Sequence, residues 1–153
     1  MAPFAQRLAS ARAIADGRRI VATGLEARLS TRYTVDTLRL VGRRFPRVRF
    51  VWLMGADNLV QLPHWLRWHD IAMTMAFAVL PRPTYNHRAL AGLAAIRLRR
   101  ARRVAHLAPV LADMAPPAWL FLPASQLAAS ATAIREATSG VQRHRQQAAA
   151  ATA

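Results

Sequence analysis

The sequence predicts an α/β fold with a parallel sheet covered by helices on both faces, and three observations carry that expectation. Short β-branched or apolar runs recur at Ile20-Val21-Ala22-Thr23, Val48 to Met54, Ala76 to Leu80 and Ala118 to Leu122. The stretches between them carry apolar residues at helical spacing, and Gly or Pro punctuates the joins. Strands separated by helices are joined by crossovers rather than hairpins, which makes the sheet parallel and places ligands at the carboxyl ends of its strands. The functional loops are therefore expected just after Met54, Leu80 and Leu122.

Taken in order, Phe4, Leu8, Ala11 and Ala15 mark a first helix up to Gly17, and Ile20 to Thr23 reads as a strand. Thr34 is a candidate cap for a helix with Val35, Leu38, Val41 and Phe45 on one face and Arg39, Arg43 and Arg44 away from it. Pro46 ends that helix, and Val48 to Met54 reads as a buried strand. A short helix around His69 to Met75 leads to the strand Ala76 to Leu80. The Arg-rich stretch from His87 to about Val104 reads as one long exposed helix, followed by the strand Ala118 to Leu122. A last helix is expected from Ser130 to Ser139. Residues 1–140 then form one domain, and 141–153 an Ala/Gln-rich tail that is frayed or disordered. One feature does not suit this topology. The chain opens with a helix, although the first helix of such a fold follows a strand, so a first strand is expected to be lacking.

Composition narrows the function. A hydrophobic fraction of 54% over 153 residues suits one globular domain rather than a disordered chain. No apolar stretch approaches the ~18 residues of a membrane span and no signal segment follows Met1, so a cytoplasmic address without a membrane partner is expected. The absence of Cys excludes disulfides and thiolate metal sites. The net charge of +15 suggests anionic partners, yet all 22 basic residues are Arg and none is Lys. Such a bias fits a GC-rich genome. The arginines are spread from Arg7 to Arg145 with one cluster at Arg97 to Arg103, and no nucleic-acid motif accompanies them, which argues against an Arg-rich nucleic-acid-binding module.

Four segments carry candidate chemistry. Ala129-Ser130-Ala131-Thr132-Ala133-Ile134-Arg135 places two hydroxyls and a guanidinium at the start of a predicted helix, in outline a phosphate cradle, although a plain helix cap has the same form. Met54-Gly55-Ala56-Asp57-Asn58-Leu59 lies just past a buried strand; Gly55 permits close backbone approach, and Asp57 can accept from a ribose hydroxyl or hold a metal. Pro63 to Asp70 gathers two Trp and two His. A Trp there can stack on a flat heteroaromatic ring while an Arg or a backbone N–H holds a carboxylate, and the same Trp residues can simply pack the loop onto the core. His64, His69 and Asp70 match no common metal spacing, so no protein metal site is expected. Finally, Leu80-Pro81-Arg82-Pro83 holds an Arg stiffly at the end of the third strand.

In order along the chain, Tyr33-Thr34-Val35-Asp36-Thr37-Leu38, Gly55-Ala56-Asp57-Asn58-Leu59, Trp65-Leu66-Arg67-Trp68, Arg82-Pro83 and Ser130-Ala131-Thr132-Ala133-Ile134-Arg135 resemble the bacterial nicotinate mononucleotide adenylyltransferases. The resemblance implies a Rossmann-like, doubly wound nucleotidyltransferase sheet. It also implies adenylyl transfer from ATP to nicotinate mononucleotide with Mg²⁺, giving deamido-NAD and pyrophosphate in NAD biosynthesis. By the same resemblance Trp65 stacks on the nicotinate ring, with Tyr33, Thr34 and the backbone at Leu66 around the ring and its carboxylate. Gly55 and Asp57 face the nucleoside, Ser130, Thr132 and Arg135 hold the ATP phosphates, and Arg82 reaches toward a substrate phosphate.

The chain departs from the family at one point. Members open with a strand and a Gly-rich turn leading to His-x-Gly-His, whereas the only His residues here are 64, 69, 87, 106 and 144. The resemblance therefore leaves the catalytic residues unassigned. It implies a start placed too late, a fragment, or a decayed copy that binds nucleotide without turnover.

Overall fold

The sheet is built on an apolar segment buried at all but its last position. Ala76-Phe77-Ala78-Val79-Leu80 forms an interior strand, buried over its first four residues, as a strand with neighbours on both sides and packing on both faces requires. The computed structural model describes residues 3–123 of the chain. Its four strands, β1 (Val51–Gly55), β2 (Ala76–Leu80), β3 (Arg102–Arg103) and β4 (Trp119–Phe121), lie in the order β1-β2-β4-β3, and every pairing is parallel. The α/β class and the parallel sheet read from the sequence are those of the structure. The register sets Gly55 opposite Leu80 at the carboxyl end.

Alternation sorts the strand residues onto two faces. On one face, Met54, Phe77, Val79 and Trp119 pack with Val35 and Leu38 of α3 (Thr34–Arg44), Leu59 of α4 (Ala56–Gln61), Leu62 of the following 3₁₀ turn and Ile71 of α5 (Trp68–Thr74). Phe77 and Trp119 stack with ring centroids 5.7 Å apart and planes 7° from parallel. The buried Trp119 Nε1 donates to the Leu98 carbonyl at 2.9 Å, so the indole keeps its hydrogen bond away from water. On the other face, Ala76, Ala78 and Leu120 meet Leu111 from the 3₁₀ segment Ala105–Asp113. That cover reaches β1 only at the half-buried Val51, and Leu53 remains 59% exposed. Among the described residues β1 has a strand neighbour only on its β2 side.

Several elements differ from expectation, each for a local reason. Ile20 to Thr23 is not a strand. The Asp16 carboxylate accepts the N–H groups of Arg18, Arg19 and Ile20 at 2.9, 2.8 and 2.8 Å, which folds the segment into a turn and leaves Ile20 and Val21 exposed. The preceding helix α1 (Phe4–Ile14) forms where its spacing predicts, but none of its residues is buried. A short helix α2 (Leu25–Leu29) follows that the sequence reading lacked. Thr34 is not a cap but the first residue of α3. Tyr33 occupies the cap, and its carbonyl accepts the N–H groups of Asp36 and Thr37.

The strand expected from Val48 begins only at Val51, because the Val48 N–H closes a turn onto the Phe45 carbonyl. The long exposed helix expected from His87 is broken at Gly92 into α6 (Asn86–Leu90) and α7 (Leu93–Arg97), then a 3₁₀ turn and β3. A Cβ at Gly92 would lie 2.9 Å from the Arg88 carbonyl oxygen, so the two helices approach there as only glycine permits. Ala89, Ala94, Ala95, Leu98 and Ala101 are buried, turning this stretch inward while its arginines face solvent. Among the described residues the sheet thus has four strands, with Arg102–Arg103 in place of Ile20–Thr23. The expected Ser130 to Ser139 helix and the 141–153 tail lie outside the described residues. Among those described, no helix is long and apolar enough to cross a membrane.

Candidate active site

Two groups of side chains form the candidate site, one of them at the carboxyl end of β1. The first grows from the register. Asp57 and Arg82 each lie two residues past the paired Gly55 and Leu80, and Arg82 Nε stands 3.5 Å from Asp57 Oδ1. That oxygen is buried and has no hydrogen-bond partner, an arrangement that favours an incoming donor. The closeness of this pair leaves little room for a side chain at Gly55. A Cβ on it would lie 2.2 Å from Asp57 Oδ1 and 3.0 Å from Arg82 Nε. The Arg82 loop is held by its own backbone N–H, which donates to Asn86 Oδ1 at 2.8 Å, and by flanking Pro81 and Pro83. Thr84 follows with φ of 68°, a left-handed conformation rarely taken by a β-branched residue.

The second group surrounds a recess of about 250 Å³ lined by Arg32, Tyr33, Thr34, His64, Trp65 and Leu66. The entry to α3 supplies the first three, and the loop between α4 and α5 the rest. Trp65 is half-buried: one side packs on the core, with its ring centroid 5.8 Å from that of Trp52, and it also contributes to the recess wall. Trp65 thus packs on the core and also borders an open recess. Trp68 packs on the core, and its ring lies 3.7 Å from that of the adjacent His69.

The loop arginine that the sequence offered for holding a carboxylate is committed elsewhere. Arg67 Nη2 donates to Asp36 at 3.1 Å and its Nε lies 3.8 Å from Asp70, while Arg39 also donates to Asp70 at 2.8 Å. His64, His69 and Asp70 do not converge. Among the described residues no three His, Cys, Asp or Glu side chains come together as a metal site.

The curated proteins similar to this chain decide its lineage. It is 61% identical over 135 residues to the probable nicotinate-nucleotide adenylyltransferase of Gluconacetobacter diazotrophicus, covering 88% of this chain and 63% of that protein. The protein of the same name from Gluconobacter oxydans is 58% identical over 136 residues, covering 89% and 70% respectively. The chain belongs to the nicotinate-nucleotide adenylyltransferase family. A third member, from Parvibaculum lavamentivorans, is 52% identical over 136 residues, covering 89% of this chain and 68% of that protein. A scan against models of protein families gave no match. The chain therefore spans about two thirds of the length of its relatives in this adenylyltransferase family.

Of the positions the family resemblance singled out, the structure brings Tyr33, Thr34, Trp65 and Leu66 to one recess and Gly55, Asp57 and Arg82 to one strand end. Ser130, Thr132 and Arg135 lie outside the described residues. Sequence reasoning missed Arg32, and weighed His64 only as a metal ligand. The available signal was their position next to Tyr33 and Trp65.

Proposed function

We propose that this chain carries the substrate-binding part of an adenylyltransferase that joins ATP and nicotinate mononucleotide into deamido-NAD with release of pyrophosphate. The observation that carries the reading is the convergence of Tyr33, Thr34, Trp65 and Leu66 on one recess, from segments some thirty residues apart. A recess of about 250 Å³ is at or below the ~300 Å³ lower end of small-molecule pockets, so it suits one ring rather than a whole nucleotide. The pyridine ring lies against Trp65. The unpartnered Asp57 Oδ1 accepts a ribose hydroxyl, and Arg82 faces the mononucleotide phosphate.

The reaction is in-line attack of a mononucleotide phosphate oxygen on the α-phosphorus of ATP, with pyrophosphate leaving on the opposite side. Such a transfer rests on positioning and charge neutralisation, and it needs no covalent nucleophile from the protein. Mg²⁺ enters bound to the ATP phosphates as part of the substrate. Arg82 beside Asp57 makes that carboxylate better suited to a hydroxyl donor than to a second cation. Ser130, Thr132 and Arg135 supply the phosphate contacts in this reading.

Binding is the appropriate readout, since His-x-Gly-His is not in this sequence. Titration of nicotinate mononucleotide against the chain and its Trp65→Ala variant tests the ring site. The expected result is about tenfold weaker mononucleotide binding in the variant, a stacking contribution of ~1 to 2 kcal/mol, with ATP affinity retained. A variant that melts early yet binds the mononucleotide normally would leave Trp65 as a core residue alone.

A further inference from the structure

We infer that Arg32 is the residue by which this site selects a carboxylate-bearing pyridine over its amide, an assignment that rests on the functional reading above. Three observations converge on it. Arg32 lines the recess together with Tyr33, Thr34, Trp65 and Leu66, and it is the only arginine to do so among the described residues. The alternative cation, Arg67, sits in the adjacent loop but is bound to Asp36 and Asp70, and Arg39 shares Asp70 with it. Arg32, by contrast, has no carboxylate within ion-pair distance among the described residues. Its guanidinium carbon lies 5.6 Å from the centroid of the ring of Tyr33, itself a lining residue, a contact that restrains the side chain without neutralising it.

A ring carboxylate entering the recess therefore meets an uncompensated positive charge with several N–H donors in a planar fork. A ring carboxamide offers one acceptor, no charge, and an NH₂ group that opposes those donors. The difference favours the acid through a charge-assisted hydrogen bond and disfavours the amide through donor–donor contact.

The test is the ratio of affinities for nicotinate mononucleotide and nicotinamide mononucleotide, measured by equilibrium titration at pH 8 on the 153-residue chain and on Arg32→Gln and Arg32→Lys. Arg32 is exposed, so each variant should melt as the parent does. The expected outcome is a preference for the acid in the parent, at least a fivefold drop in that preference in Arg32→Gln, and partial recovery in Arg32→Lys. An unchanged ratio in Arg32→Gln, with the parent still binding the acid, overturns the assignment and leaves the ring site intact. If the parent binds neither mononucleotide, the functional reading itself fails and the assignment falls with it.

Discussion

Asp57 and Arg82 face each other because each stands two residues beyond a register pair, Gly55 and Leu80, that closes the parallel ladder of β1 and β2. Parallel pairing brings the carboxyl ends of both strands to the same rim, so residues 25 apart in sequence come within 3.5 Å. The ion pair is partly solvated, with the Arg82 side chain 58% and the Asp57 side chain 31% exposed, and it contributes little to stability on its own. Its value is positional, since it orients a carboxylate oxygen that has no hydrogen-bond partner.

Gly55→Ala tests how tightly this corner is assembled. The backbone there, φ −80° and ψ 159°, suits any residue, so the cost comes from the new methyl group meeting Asp57. Overpacking of this kind costs about 1 to 3 kcal/mol, read as a lower urea midpoint. Made on an Asp57→Ala background, which removes the obstructing carboxylate, the same change should be nearly neutral. Additive effects would show that the two residues do not press on one another.

Trp119→Phe probes the core beneath the site. The substitution preserves the aromatic stack on Phe77 but leaves the Leu98 carbonyl without its indole donor. Loss of that buried hydrogen bond should destabilise the chain by about 1 to 3 kcal/mol, measured as a fall in thermal midpoint. A variant as stable as the parent would mean that the Ala101 N–H, which also donates to the Leu98 carbonyl at 3.0 Å, satisfies it alone.

The turn at Asp16 should respond to acid. Three backbone N–H donors, chiefly those of Ile20 and Arg18, hold the Asp16 carboxyl below the usual carboxylate value. A group whose folded pKa is depressed contributes fully above its unfolded value of about 3.9, and the contribution is lost as the pH falls through the lower, folded value. The amide resonances of Arg18, Arg19 and Ile20 should therefore hold steady down to about pH 4 and shift together below it. In Asp16→Asn that shared transition should vanish. A midpoint at or above the ordinary carboxylate value would contradict the turn as described.

The sequence was most legible where one local signal acted alone. The run Ala76 to Leu80 could only be buried, and the spacing of Val35, Leu38 and Val41 could only face a core; both became β2 and α3 with the expected interiors. It misled where side chains captured the backbone or where small residues carried the burial. Ile20 to Thr23 has the composition of a strand, but a single Asp four residues earlier ties its first N–H into a turn. In the stretch from His87 to Val104, arginines dominate the composition, while the buried alanines that direct its packing give little contrast in hydrophobicity. The candidate site shows the same division. Trp65 and Tyr33 stood out as aromatics near turns. Which arginine stays uncommitted depended on ion pairs between α3 and the Arg67 loop, contacts with no local trace in the chain.

The outer edge of β1 has a consequence for how the molecule behaves in company. Along Val51–Gly55 the main-chain groups that point away from β2 meet no strand among the described residues, and the side chain of Leu53 beside them is open to water. An open, partly apolar strand edge is a template on which any extended segment can register, whether from the same polypeptide or from a neighbour in solution. The five residues that position Gly55 and Asp57 are thus also those most exposed to association between molecules. Light scattering that rises with protein concentration, and falls when Leu53 is replaced by a lysine, would be the signature of that edge finding partners.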